Sequence, residues 1–120
     1  MKYILLIYHN PETVHAWSED EMNRIMEEVD VLMAELQESG EWIGGQGLAD
    51  PSTARSVRVR DGVPAVTDGP YLEAKEYLAG YSLFECESLE RATEIAARWP
   101  DARYTGVELR PLMTAAGTEM

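Results

Sequence analysis

The chain has 120 residues, with 22 Asp and Glu against 10 Lys and Arg and a net charge of −12. That length fits one domain with a single modest core, and the acidic excess argues against partners made of phosphate backbone or anionic membrane, so no nucleic-acid or membrane partner is expected. An apolar fraction of 45% beside 27% charged residues excludes wholesale disorder.

The first element is the strand 3–8, Tyr3-Ile4-Leu5-Leu6-Ile7-Tyr8. It is apolar throughout and is expected to be buried on both faces. The run is too short for a signal-peptide core or a membrane span, which points to a cytoplasmic protein. His9-Asn10-Pro11 ends the strand, and His15 follows in an apparent loop. Ser18 then reads as a helix N-cap, with Glu21 completing a capping box and Trp17 and Met22 placed as a hydrophobic staple. The helix runs to Gly40, a good terminating residue. Its apolar positions Met22, Ile25, Met26, Val29, Leu32, Met33 and Leu36 form one stripe. The methionines read as core filler, with a methionine face for a cofactor as the alternative.

Glu41 to Leu48 is a strand weakened by Gly44, Gly45 and Gly47, a pattern that marks a bulge or a close backbone approach. Asp50-Pro51-Ser52 is a turn. Ser56-Val57-Arg58-Val59-Arg60 alternates with period 2, Asp61-Gly62 is a hairpin turn, and Val63 to Thr67 is the return strand. Residues 77–86 form a long strand. Ser88 caps a second helix with the apolar face Leu89, Ala92, Ile95, Ala96 and Trp99, which Pro100 stops. Tyr104 to Met113 is the last strand, and residues 114–120 are a frayed tail outside the 1–113 domain.

The order β-α-β, inserted hairpin, β-α-β predicts an α+β domain of ferredoxin-like arrangement, with both helices on one face of a mainly antiparallel sheet. The other face lacks cover. A second copy of the chain would supply it and enclose a pocket between the two sheets, so a homodimer is expected.

The most distinctive segment is Val66 to Tyr81, which contains Asp68-Gly69-Pro70-Tyr71, Glu73, Lys75, Glu76, Tyr77, Leu78 and Gly80. Asp-Gly-Pro is a tight turn, and ionisable and phenolic groups crowd behind it. This segment resembles the DGPF motif of the YCII-related proteins, with Tyr71 in place of the usual Phe. Lys2 to Tyr8, Gly44-Gly45, Ser88-Leu89 and Val107-Glu108-Leu109-Arg110-Pro111 also match that family's pattern. The resemblance covers residues 2–113 and implies a dimeric α+β barrel. It implies no settled activity, and it brings the association of this branch with extracytoplasmic-function sigma factors. The wider family commonly carries a helix histidine proposed as an acid–base residue. Counting back eleven positions from Gly40 puts that position at Val29.

Other residues suit chemistry. His9, at the end of the first strand where pockets in such sheets open, can act as an acid–base group or stand as an exposed loop histidine. Asp68 is a general base or a turn-former. Lys75 neutralises an anionic ligand or pairs with Glu73 or Glu76. Tyr8, Tyr71 and Tyr81 line a pocket with phenols or pack as core aromatics. Arg58 and Arg60 hold an anion or form an outward, edge-guarding strand face. Cys86, the single cysteine, has no base beside it and reads as inert; it allows no intramolecular disulfide. No zinc spacing and no phosphate-loop, dinucleotide or nucleophile-elbow motif is present, so no metal or cofactor is expected.

Three functions fit these residues. The first is a dimer binding an unknown small molecule in a pocket lined by Tyr8, His9, Asp68, Tyr71, Lys75 and Tyr81. The second is a cofactor-independent lyase or isomerase using His9 or Asp68 for proton transfer. The third, which the resemblance alone implies, is a regulatory interaction module linked to an extracytoplasmic-function sigma factor, with the acidic first helix as its surface.

Overall fold

The structure is a computed structural model and describes residues 1–71, 74–114 and 117. Strand β1 (Lys2–His9) leads through a short helix α1 (Pro11–His15) to a long helix α2 (Glu19–Ser39) and strand β2 (Trp42–Gly47). The hairpin β3 (Arg55–Arg60) and β4 (Val63–Asp68) follows, then β5 (Tyr77–Glu85), helices α3 (Leu89–Arg98) and α4 (Asp101–Tyr104), and strand β6 (Val107–Pro111).

Both long helices start where side chains can cap them. Ser18 Oγ accepts from Glu21 N at 3.1 Å, and Ser88 Oγ accepts from Arg91 N at 3.0 Å. Gly40, with φ of 80°, ends α2 in the left-handed conformation that a side chain resists. The hairpin turn has Asp61 at φ 50° and Gly62 at φ 76°, the pair of positive values that a two-residue connection needs.

Strands β2, β5, β1 and β6 form one sheet in that order, every neighbouring pair antiparallel. The architecture is mixed α+β and compatible with a ferredoxin-like fold. Tyr3, Leu5 and Ile7 of β1 meet Phe84 of β5 and Leu32, Leu36, Ala92, Ile95 and Trp99 of the helices in one buried core. Among the described residues no helix is long and apolar enough to cross a membrane.

Four expectations need correction. Strand β1 is buried on one face only, because no element covers Ile4, Leu6 and Tyr8, which remain half-buried. His9-Asn10-Pro11 does not open a plain loop. Asn10 Oδ1 accepts from Glu12 N at 3.0 Å and Pro11 occupies the first turn, so α1 forms and places His15 in a helix. Tyr104 belongs to α4 rather than the last strand, which is the shorter β6. Leu89 of the second helix is exposed rather than packed. The tail reading over 114–120 falls mostly outside the described residues.

An ion pair ties α3 to the entry of β2. Arg91 Nη2 donates to Glu41 Oε1 at 2.8 Å and its Nε to Oε2 at 3.0 Å, both partners mostly shielded from water. Hydrogen bonds from Arg91 hold the Glu41 carboxyl below its ordinary value. A carboxyl lowered on folding stabilises the fold above its unfolded pKa and loses that effect as pH falls through the folded one. Glu41→Gln should therefore cost about 1–2 kcal/mol at neutral pH, and denaturant midpoints of variant and parent should converge in strong acid. Burial pushes the Cys86 thiol up, so a thiol reagent at mildly alkaline pH should label it rapidly only after unfolding.

Candidate functional site

The end of the sheet where β1 and β2 finish and β5 begins opens a cleft of about 320 Å³ toward the helices. Met26, Val29 and Met33 of α2 and Trp99 form one wall. Ile7, Trp42, Gly45, Gly47, Gly80 and Ser82 come from the strands. The strand glycines allow the β2–β5 approach: a Cβ on Gly45 would fall 2.6 Å from the Tyr81 carbonyl oxygen, and one on Gly80 2.9 Å from that of Gln46. Gly47 differs, since a Cβ there would meet nothing within 4 Å. The three are small for two reasons, two for backbone contact and one at open space.

At the edge of this apolar cleft stands a polar pair. His9 Nε2 lies 2.8 Å from Asp101 Oδ1. The residue period of β1 puts His9 on the same side as Tyr3, Leu5 and Ile7, and α4 presents Asp101 from above. Asp101 is 6% exposed, so its carboxylate is withdrawn from water and needs this partner. A carboxylate only accepts, so Nε2 carries the hydrogen. In the neutral ring Nδ1 then holds the lone pair, and it has no hydrogen-bond partner among the described residues. Rings fix the imidazole from its flanks. Tyr77 and Trp17 sit edge-on at centroid distances of 5.9 and 6.2 Å, and Trp17 leans on Tyr104 at 5.0 Å.

The arrangement suits proton transfer more than nucleophilic attack. Ser82 stands opposite Leu5, about 13 Å along β1 from His9, too far for His9 to activate its hydroxyl. Among the described residues no group of three His, Cys, Asp or Glu side chains is placed to hold a metal ion. A larger open groove of about 660 Å³ runs between α2 and the α3–α4 segment. It is lined by Arg24, Glu27, Glu28, Arg98 and Arg103. Its Glu28–Arg103 ion pair at 2.8 Å braces α2 against α4.

The six residues singled out by sequence fall in three places within one chain. His9 lines the cleft. Tyr8 and Tyr81 lie across the sheet: Tyr81 pairs with Leu6, on the face away from the helices, and only its backbone side borders the cleft. Asp68, Tyr71 and Lys75 are exposed on and beyond the hairpin. Asp68 pairs with Arg55 at 3.1 Å, and the Arg58 guanidinium lies 4.9 Å from the centre of the Tyr71 ring. Glu73 is outside the described residues.

Asp101 is the residue that sequence reasoning missed. Its signal was local: Pro100 followed by an acidic residue is a helix start, not a strand approach. Val29 faces the same cleft as His9. Met33 lines this cleft and packs against the core, whereas Met26 lines it but is 52% exposed, so it is not the core filler that the stripe suggests.

An uncharacterised protein of Rhizobium meliloti (strain 1021) is 33% identical over 114 residues, 93% of this chain and 92% of that protein. The YCII-related domain matches residues 1–115, and the chain belongs to the YCII-related family.

Proposed function

We propose that the protein binds a small, largely apolar molecule in the helix-side cleft and moves a proton on it, with His9 as the base and Asp101 as the group that orients it. The observation that carries this reading is the buried Asp101 carboxylate on His9 Nε2, with Nδ1 left unbonded beside an apolar cavity. A carboxylate behind an imidazole fixes the tautomer and stabilises the imidazolium that forms after proton abstraction. With no nucleophile beside the base among the described residues, lyase or isomerase chemistry at an acidic C–H suits the site best. The Asp68-Gly69-Pro70-Tyr71 turn supports a place in the DGPF branch of the family. The uncovered sheet face supports assembly as a homodimer.

A panel of small carbon acids incubated with the protein in D2O tests the reading by NMR. At least one should exchange its acidic proton with catalysis by the protein. His9→Gln or Asp101→Asn should lower that rate by about 10²–10⁴-fold with the melting temperature little changed for His9→Gln. Gly47→Val, which projects into open space, should weaken ligand binding without unfolding the protein. Catalysed exchange that survives both dyad substitutions would remove His9 from the chemistry.

A further inference from the structure

We infer that the β3–β4 hairpin is an arm exchanged between two copies of this chain, each arm laying its valine face on the open sheet face of the other. This deepens the homodimer reading and rests on it.

The arm has almost no packing of its own. Neither β3 nor β4 packs extensively on another element, and every residue of β4 is exposed. A lone two-stranded hairpin is marginal in water. The radius of gyration is 16.5 Å, against about 14 Å for a compact chain of this length, and the molecule is 49 Å long and 18 Å thin. The arm's register separates its two faces. Arg55, Val57, Val59, Pro64, Val66 and Asp68 share one, because they pair as Arg55–Asp68, Val57–Val66 and Val59–Pro64. The three valines are each more than half exposed. Arg58 and Arg60 lie on the other face, where Arg58 covers Tyr71. Val63 and Ala65 share the arginine face, so the arm has one side with three valines and a proline and another that mixes arginines with small and apolar residues.

A matching surface exists on the same chain. Ile4, Leu6, Tyr81 and Leu83 line the sheet face away from the helices, with Ile4 opposite Leu83 and Leu6 opposite Tyr81. Arg55 pairs with Asp68 on the arm, and Arg110 Nε lies 3.7 Å from Glu108 on the sheet face. Lys2 and Glu85 stand opposite each other at the end of that face, so a contact centred on Leu6 and Tyr81 leaves them at its rim, in water. Since one chain carries both halves and does not join them itself, twofold exchange satisfies both at once. Six-residue strands make the arm about 20 Å long and a pair of strands about 10 Å wide. The contact is made twice and covers both surfaces each time, which gives about 800 Å² in total, so the rest of the ~1,000 Å² that a specific interface needs comes from the surfaces flanking the arm.

The test uses the full chain. Sedimentation equilibrium should show a dimer, and Val57→Asp with Val66→Asp should weaken it about tenfold or more with an unchanged circular dichroism spectrum, because these side chains touch no core. A spin label on Val59→Cys, in a Cys86→Ser chain mixed with isotope-labelled parent, should broaden the amides of Leu6 and Tyr81 in the parent. A monomer at all concentrations would overturn both the pairing and the arm. A dimer that survives the double substitution without such broadening would overturn the arm alone, as would broadening confined to arm amides.

Discussion

The two-residue period of β1 governs the molecule. Tyr3, Leu5 and Ile7 point into the helix layer and nucleate the core, while Ile4, Leu6 and Tyr8 point the other way and stay half-covered. His9 continues the first series, so the residue just beyond the last core side chain becomes the polar end of the cleft. A slip of one residue would exchange Tyr8 for His9 at that spot and expose the core. Stability and chemistry thus depend on the same register, held on both sides by β5 and β6.

Much of the fold was legible because its signals are local. Ser18, Ser88 and Gly40 bracket helices by capping chemistry, and Asp61-Gly62 can hardly be anything but a hairpin turn. The glycines of β2 correctly marked irregularity, which the register shift between Trp42 and Gly44 displays. The short helices escaped notice because five and four residues are too few to show a helical period. The site was legible by half. His9 stands out at the end of an apolar strand, but its partner is 92 residues away and lies in an element that periodicity does not reveal. Tyr8 and Tyr81 are near His9 in sequence or register, yet strand alternation sends their side chains to the opposite face.

Charge has a similarly divided role. Nine acidic residues lie between Ser18 and Glu41, and the structure uses several of them as braces. Glu28 meets Arg103, Glu35 meets Arg98, and Glu41 meets Arg91, so three of the arginines from the C-terminal half clamp α2 and its exit to the α3–α4 segment. The first two pairs are exposed and contribute little each. Glu35–Arg98 joins α2 to α3, while Glu28–Arg103 joins α2 to α4, the element that carries Asp101 to His9. The cleft itself is dominated by carbon, so its polarity comes from the dyad rather than from the acidic surface.

The bare arm also bears on how the protein comes together after synthesis. The arm of a freshly folded chain displays two strand edges that each offer unpaired backbone groups, the usual starting point for uncontrolled sheet growth. The arm carries its own safeguards. Arg58 and Arg60 place positive charge along β3, and Pro64 removes one backbone donor from β4. Charge repels a second edge of the same kind, and the missing donor interrupts any ladder that begins. Correct assembly then competes with aggregation on favourable terms, and replacing those three residues would shift that kinetic balance before it changed any property of the finished fold.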